Sequence, residues 1–363
     1  MKNCFKILLS GIAALFCSGC DSYLDVVPEG VATIDNAFSN RATTQRYLYT
    51  CYSYLPNPVS VWDYPACFGG DEMWWDFDQI QDENGIYVAQ GYQNANDPYQ
   101  NYWDGSRGGK QLFQGMRSCN IFLENVHIPR DLNEYEKNRW IAEVKFIKAY
   151  LHFFLMQLYG PIPVMRENLP VSASPEEVRT YREPIDDVVS YIVQLIDEAM
   201  PYLPMDNNAM RVTEAGRITK PVALAIKARA LVWAASPLFN GGNATLAGFK
   251  DNRGVVLIPD TPDPLKWERA LTAVKNAIDT CHLAGHALYR YTSEMAGMSD
   301  TTKLKYALRY AITEKFNPEI VWPDTHNAYS LQVKCMPLCE LPNYNNGANE
   351  WCATLKIAEQ FYT

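Results

Sequence analysis

Apolar residues recur at helical spacing in several stretches of the chain. Between residues 134 and 159, Trp140, Val144, Ile147, Leu151, Phe154 and Leu158 follow one another in alternating steps of four and three. That spacing predicts one stripe of a long amphipathic helix, stopped by Gly160-Pro161. Residues 184–200 repeat the pattern through Ile185, Val188, Ile192, Leu195 and Ala199, before Pro201 and Pro204 break it. Residues 220–238 carry Leu224, Ala228, Leu231 and Ala235, with Ala223, Ala225, Ala230 and Ala234 keeping the rest of the surface small enough for close helix approach. A fourth helix is predicted over 265–283, packed through Trp267, Leu271, Val274 and Ile278, and shorter helices fit 41–54 and 110–125. Helix pairs with small contact residues predict a mainly-α, tetratricopeptide-like helical stack with long irregular aromatic-rich loops, its repeats degenerate.

Two stretches have no period. Residues 56–106 mix Pro, Gly, Asn and Asp with many aromatics, and 240–264 is similarly irregular. Long loops of this kind on a compact scaffold are a usual seat of binding function.

The N-terminus has a different pattern. Lys2 and Lys6 precede the apolar run Ile7–Phe16, and Cys17-Ser18-Gly19 leads into Cys20. These are the three regions of a secretory signal. The run is much shorter than the roughly 20 residues that span a bilayer. Small residues followed by Cys form the pattern of a bacterial lipoprotein signal, with Cys20 as the lipidated residue, although Cys17 stands where such signals usually carry Leu. Ordinary secretion with an incidental Cys20 is the alternative. Cleavage would leave 344 residues with 30 basic against 41 acidic side chains, a net charge near −11. That acidic balance, without a basic cluster, argues against a nucleic-acid footprint.

Seven cysteines remain beyond Cys20, and their spacing shows no small-domain disulfide framework. Cys335 and Cys339 are spaced to close a small disulfide loop or to bind metal, but no second zinc-ligand pair lies nearby in sequence. Isolated thiols among apolar residues read as packing.

Several segments resemble the SusD/RagB family of surface nutrient-binding lipoproteins. Cys20-Asp21-Ser22-Tyr23-Leu24-Asp25 through Pro28 is similar to the family's mature start. Arg117-Ser118-Cys119-Asn120-Ile121-Phe122-Leu123 resembles one of its helices, as do Ala142 to Tyr150 and the exit Leu158-Tyr159-Gly160-Pro161-Ile162-Pro163. Arg182-Glu183-Pro184 through Leu203-Pro204 is similar to the next helix. Gly216-Arg217-Ile218-Thr219-Lys220, Lys227-Ala228-Arg229-Ala230 and Ala234 to Asn240 are the most specific pieces, followed by Glu319-Ile320-Val321-Trp322. Thr354 to Tyr362 resembles a segment that normally lies well inside family members, with Ala353 where Pro is usual. The resemblance therefore divides the chain into a signal (1–19), a SusD-like N-terminal helical region (20–240) and the beginning of the C-terminal region (241–363). It also implies that residues 340–363 pack poorly, leaving Leu355, Ile357 and Phe361 partly uncovered.

The resemblance implies a non-enzymatic lipoprotein of the outer membrane, lipid-anchored and facing the exterior, without cofactor. It would capture an oligosaccharide for a SusC-like TonB-dependent transporter. A peptide-binding RagB-like member, or a transporter-associated scaffold without glycan affinity, is the alternative. The residues agree with a poor case for catalysis: GxSxG, HExxH, P-loop and paired Cys-x-x-Cys motifs are absent from the sequence. His282 and His286 have the spacing of a helical metal pair but lack the accompanying Glu, and His152 sits among apolar neighbours as a structural histidine.

A glycan receptor needs aromatic planes flanked by polar side chains. Residues 62–78 supply them: Trp62, Tyr64, Trp74 and Trp75 as platforms, with Asp71, Glu72 and Asp76 as partners. Trp103, with Tyr92, Tyr99, Tyr102, Asn94, Asn96 and Asn101, extends the set. The alternative role for each aromatic is to pin the irregular loop to the helices.

Overall fold

The computed structural model of the protein describes residues 34–60, 64–65, 73–75, 84–292, 297–326, 335 and 351–360. Cys20, Trp62, Cys67, Asp71, Glu72, Asp76, Cys339 and Phe361 lie outside the described residues.

Seven helices carry the architecture: α1 (Arg41–Ser53), α2 (Leu112–Asn125), α3 (Glu134–Tyr159), α4 (Ile185–Ala199), α5 (Lys220–Ala235), α6 (Leu265–Leu283) and α7 (Asp300–Thr313). Local chemistry sets their ends. Asn40 caps α1 by accepting from the Thr43 amide at 3.0 Å, and Thr43 returns the contact to the Asn40 amide at 3.3 Å. Asn133 accepts from the Glu136 amide at 2.9 Å, while Glu134 and Glu136 place negative charge at the α3 N-terminus. Gly160 ends α3 at φ 69° and ψ −129°, a conformation that glycine adopts without cost.

Helices α1 to α5 enclose one apolar core, and α3 is its axis: Trp140, Val144, Ile147, Leu151 and Phe154 are all buried, as their spacing predicts. Leu158, the last of that stripe, is exposed. α5 is buried on two sides. Ala223, Ile226, Ala230 and Ala234 face the main core, while Leu224, Ala228 and Leu231 face α6. The small side chains let α5 lie close to both neighbours. The fold is a mainly-α, tetratricopeptide-like helical stack.

The face of α6 is a correction. Trp267, Leu271 and Ile278 are exposed, Val274 alone of the expected face packs on α5, and the buried positions are Lys266, Ala270, Ala273 and Ala277. α5 presents Ala228 between Leu224 and Leu231, and a close crossing of that kind accepts alanines in preference to an indole. α7 was not anticipated from periodicity. Ser299 caps it through the Thr302 amide at 3.2 Å, and Leu304, Leu308 and Ile312 on it are exposed. Leu355 and Ile357, in a short helix after strand β2 (Trp351–Ala353), are exposed as expected.

A buried charge network joins these helices. Glu143 on α3 accepts from Tyr52 Oη at 2.9 Å and from Arg139 Nε at 3.0 Å, and pairs with Arg217 at 2.8 Å. Glu214 closes the ring to Arg139 at 2.8 Å and to Arg217 at 2.6 Å. Burial opposes the charge on Arg217, but Glu143, Tyr52 and Glu214 outweigh it and raise its pKa above the ordinary value.

Candidate functional site

The strand β1 (Met73–Trp75) pairs antiparallel with β2, in the register Met73 to Ala353, Trp74 to Cys352 and Trp75 to Trp351. This ribbon separates the two adjacent tryptophans. Trp75 is 4% exposed, whereas Trp74 is 48% exposed and rests on the Trp75 ring with centroids 4.8 Å apart and planes at 29°. Trp75 is thus a buried footing, and Trp74 offers an indole to solvent.

Tyr64 and Trp103 are half-buried. The Tyr64 ring packs 5.9 Å from Phe154. Trp103 lies edge-on to Phe113 at 4.7 Å and to Tyr159 at 5.5 Å, with the Arg182 guanidinium 5.9 Å from its ring. Tyr102 is buried against Phe154, and its amide donates to Tyr159 Oη at 3.0 Å. These three contacts fasten the irregular region to α3. Its outer part is a separate aromatic group, in which Tyr87 stacks on Tyr99 at 4.8 Å and meets the exposed Tyr92 edge-on at 6.1 Å. The Arg107 guanidinium covers Tyr99 at 4.7 Å, and Arg107 also pairs with Asp97. Gln93 holds the turn by accepting from the Tyr99 amide at 2.8 Å and donating to its carbonyl at 2.9 Å.

A cleft that motif reading did not anticipate lies between α1 and the segment 322–326. Its volume is about 360 Å³. Tyr49 and Tyr52 from α1, Tyr150 from α3 and Trp322 form its aromatic lining, with Pro56 and Pro58 at one end and Asp324, Thr325 and His326 at the other. Trp322 is fixed from behind, edge-on to Tyr150 at 5.3 Å and to Phe146 at 5.7 Å, and its Nε1 donates to Gly216 O at 3.1 Å. His326 Nδ1 lies 2.6 Å from Asp324 Oδ1 at the rim. Burial pushes the Tyr150 hydroxyl up to about 12, so it stays protonated as a donor. Such a lining matches the chemistry of a sugar ring, with apolar C–H faces for the rings and hydroxyls for the rim. The contributing residues are scattered from 49 to 326, so short-range pattern gave no signal of it.

On the far side of Pro323, a mixed cavity of about 370 Å³ is lined by Asn207, Arg211, Arg217, His286, Phe316 and Asn317 among others. His286 Nδ1 sits 3.1 Å from Pro318 O, and among the described residues no group of His, Cys, Asp and Glu is arranged to hold a metal ion. His152 is buried inside α3. Its Nε2 accepts from the Met165 amide at 3.1 Å, which leaves Nδ1 to carry the proton and donate to Lys148 O at 2.7 Å. Burial lowers its pKa to about 3, so it is neutral.

A family model described as starch-binding and associating with the outer membrane matches residues 68–231. A SusD-like protein of Formosa agariphila is 22% identical over 231 residues, covering 59% of this chain and 40% of that protein. The solved structure of BT4246 superposes with a TM-score of 0.70 at 26% identity, over 90% of this chain and 57% of that one. A SusD-like protein of Bacteroides fragilis NCTC 9343 shares the fold, with a TM-score of 0.59 at 17% identity over 89% of this chain and 53% of the other. The chain thus spans about half the length of the relatives it matches. Among the described residues, no helix is long and apolar enough to cross a membrane.

Proposed function

We propose, given that this chain is a SusD-like protein, that it is a cell-surface receptor capturing an oligosaccharide for import. The observation that carries this reading is the cleft of Tyr49, Tyr52, Tyr150 and Trp322, with Asp324 and His326 on its rim. The Trp74 indole adds a second ring face. The role is binding, and no residue is assigned to catalysis. Cys20 is the lipidated N-terminus after loss of residues 1–19, anchoring the chain to the outer membrane. A SusC-like TonB-dependent transporter receives the bound glycan.

Titration calorimetry of the full chain against neutral oligosaccharides and, separately, peptide pools tests the reading. Saturable binding of one glycan class is expected, with Tyr49→Ala weakening it about tenfold, as the loss of one stacked ring implies. Binding of peptides alone would replace it with a RagB-like peptide receptor, and binding of neither would leave a transporter-associated scaffold. Mass spectrometry of the mature protein should find an acylated Cys20; a soluble chain beginning elsewhere would remove the anchor.

A further inference from the structure

Two cysteines stand at the roots of the aromatic region. Cys51 lies in the last turn of α1, immediately before that region, and Cys119 lies in the middle of α2, immediately after it. Both side chains are fully buried in the main core. Their helices cross unusually closely. A Cβ added at Gly115 would lie 2.8 Å from Tyr54 Cβ and 2.9 Å from Leu151 Cδ1, an approach open only to glycine. Gly115 and Cys119 are one turn apart on the same face of α2, and Cys51 and Tyr54 are similarly placed at the end of α1. The crossing that brings Gly115 onto Tyr54 therefore brings Cys119 onto Cys51. Both thiols are free in this structure, and after burial both sulfurs add to the rise in the Tyr47 pKa. Disulfides need Cα atoms within about 7 Å, an approach that a close helix crossing favours.

We propose that Cys51 and Cys119 join in a disulfide when the chain folds outside the cytoplasm, stapling the two roots of the aromatic region to each other. The oxidising compartment rests on the surface location proposed above, whereas the pairing rests on the helix crossing alone. The oxidant is a disulfide, either small-molecule or borne by an oxidoreductase. One cysteine thiolate attacks it and forms a mixed disulfide, releasing one thiol. The second cysteine thiolate then displaces the other half, so two protein thiols lose two protons and two electrons and the oxidant gains them as two thiols. The exchange belongs to folding, before the core closes. Afterwards the neighbouring thiol and burial raise the Cys51 pKa well above its ordinary value, and the core excludes exchange partners.

The test is to refold the full chain with oxidised and reduced glutathione, then alkylate under denaturing, non-reducing conditions and map the peptides by mass spectrometry. The expected product is a Cys51–Cys119 linked peptide, lighter by two hydrogens than its two halves. Added reductant should lower the melting temperature of this species on the order of 10 °C, the scale for opening a loop of this length. The same reductant should leave a Cys51→Ala/Cys119→Ala variant unmoved. Recovery of both residues alkylated, or of either joined to another cysteine, would overturn the proposal. No glycan or membrane enters the assay, so its failure and a failure of the receptor reading are separable.

Discussion

The contrast between Trp74 and Trp75 gives the sharpest test of a ligand platform. Trp74→Ala removes a ring that is 48% exposed and touches Trp75 on one side. Its stability cost is the lost ring pair, about 1 kcal/mol. A ligand stacked on the outer face would lose about 1–3 kcal/mol, taking base–aromatic stacking as the nearest measured case, so the dissociation constant rises about 5- to 150-fold. Trp75→Ala instead empties a site that is 4% exposed, at a cost of about 3–5 kcal/mol. The assay is titration with the glycan that the panel identifies, paired with thermal melts followed by circular dichroism. Trp74→Ala should move affinity and leave the melt nearly in place, Trp75→Ala should lower the melt first, and Trp74→Phe should recover much of the binding. Equal melting losses from both alanine variants, with affinity unchanged by Trp74→Ala, would refute the platform.

Three further outcomes follow from the core. His152 is neutral when folded, with its pKa lowered to about 3, so the folded state binds fewer protons than the unfolded chain below the ordinary histidine value of about 6.5. Stability from this group is complete above pH ~6.5 and falls as pH drops toward 3, by about 2 kcal/mol at pH 5; urea melts at pH 7 and 5 should show a smaller difference for His152→Asn than for wild type. Glu143→Ala strips the buried Arg217 of its main partner and should cost about 3–5 kcal/mol in urea unfolding, and a cost below 1 kcal/mol would mean that water reaches the network. Ala228→Leu should overpack the α5–α6 crossing by about 1–3 kcal/mol, and an unchanged melting temperature would contradict the close contact with Ala273 and Ala277.

The helices were legible because each main-core stripe repeats over several turns: Trp140 to Phe154 on α3 and Ile185 to Ala199 on α4 are buried where the spacing puts them. On α6 the same logic chose the wrong face. Hydrophobicity favours Trp267 and Leu271, but the partner helix selects for size, which a single-helix pattern does not contain. α7 was missed because Thr301, Thr302, Lys303 and Lys305 dilute its apolar positions and no core stripe results. In the irregular region, composition identifies aromatics without separating anchors from free faces. Trp75 and Trp103 differ from Trp74 only in what the fold sets against them. The Tyr49–Trp322 cleft joins side chains from α1, α3 and a distant loop, so only tertiary structure reveals it.

The β1–β2 ribbon has a consequence for the order in which the protein matures. Cys352 meets Trp74 across 278 residues of sequence, and a chain made N-terminus first exposes Trp74 long before that partner exists. At about 5–20 residues per second, the delay is roughly a quarter of a minute to a minute. Within that interval the five core helices and α6 are made and can pack together, while the two tryptophans wait without a ladder. A message cut short before residue 351 would therefore yield a folded core with an unfinished ribbon, and an oriented Trp74 indole is a mark of a chain translated past its second strand.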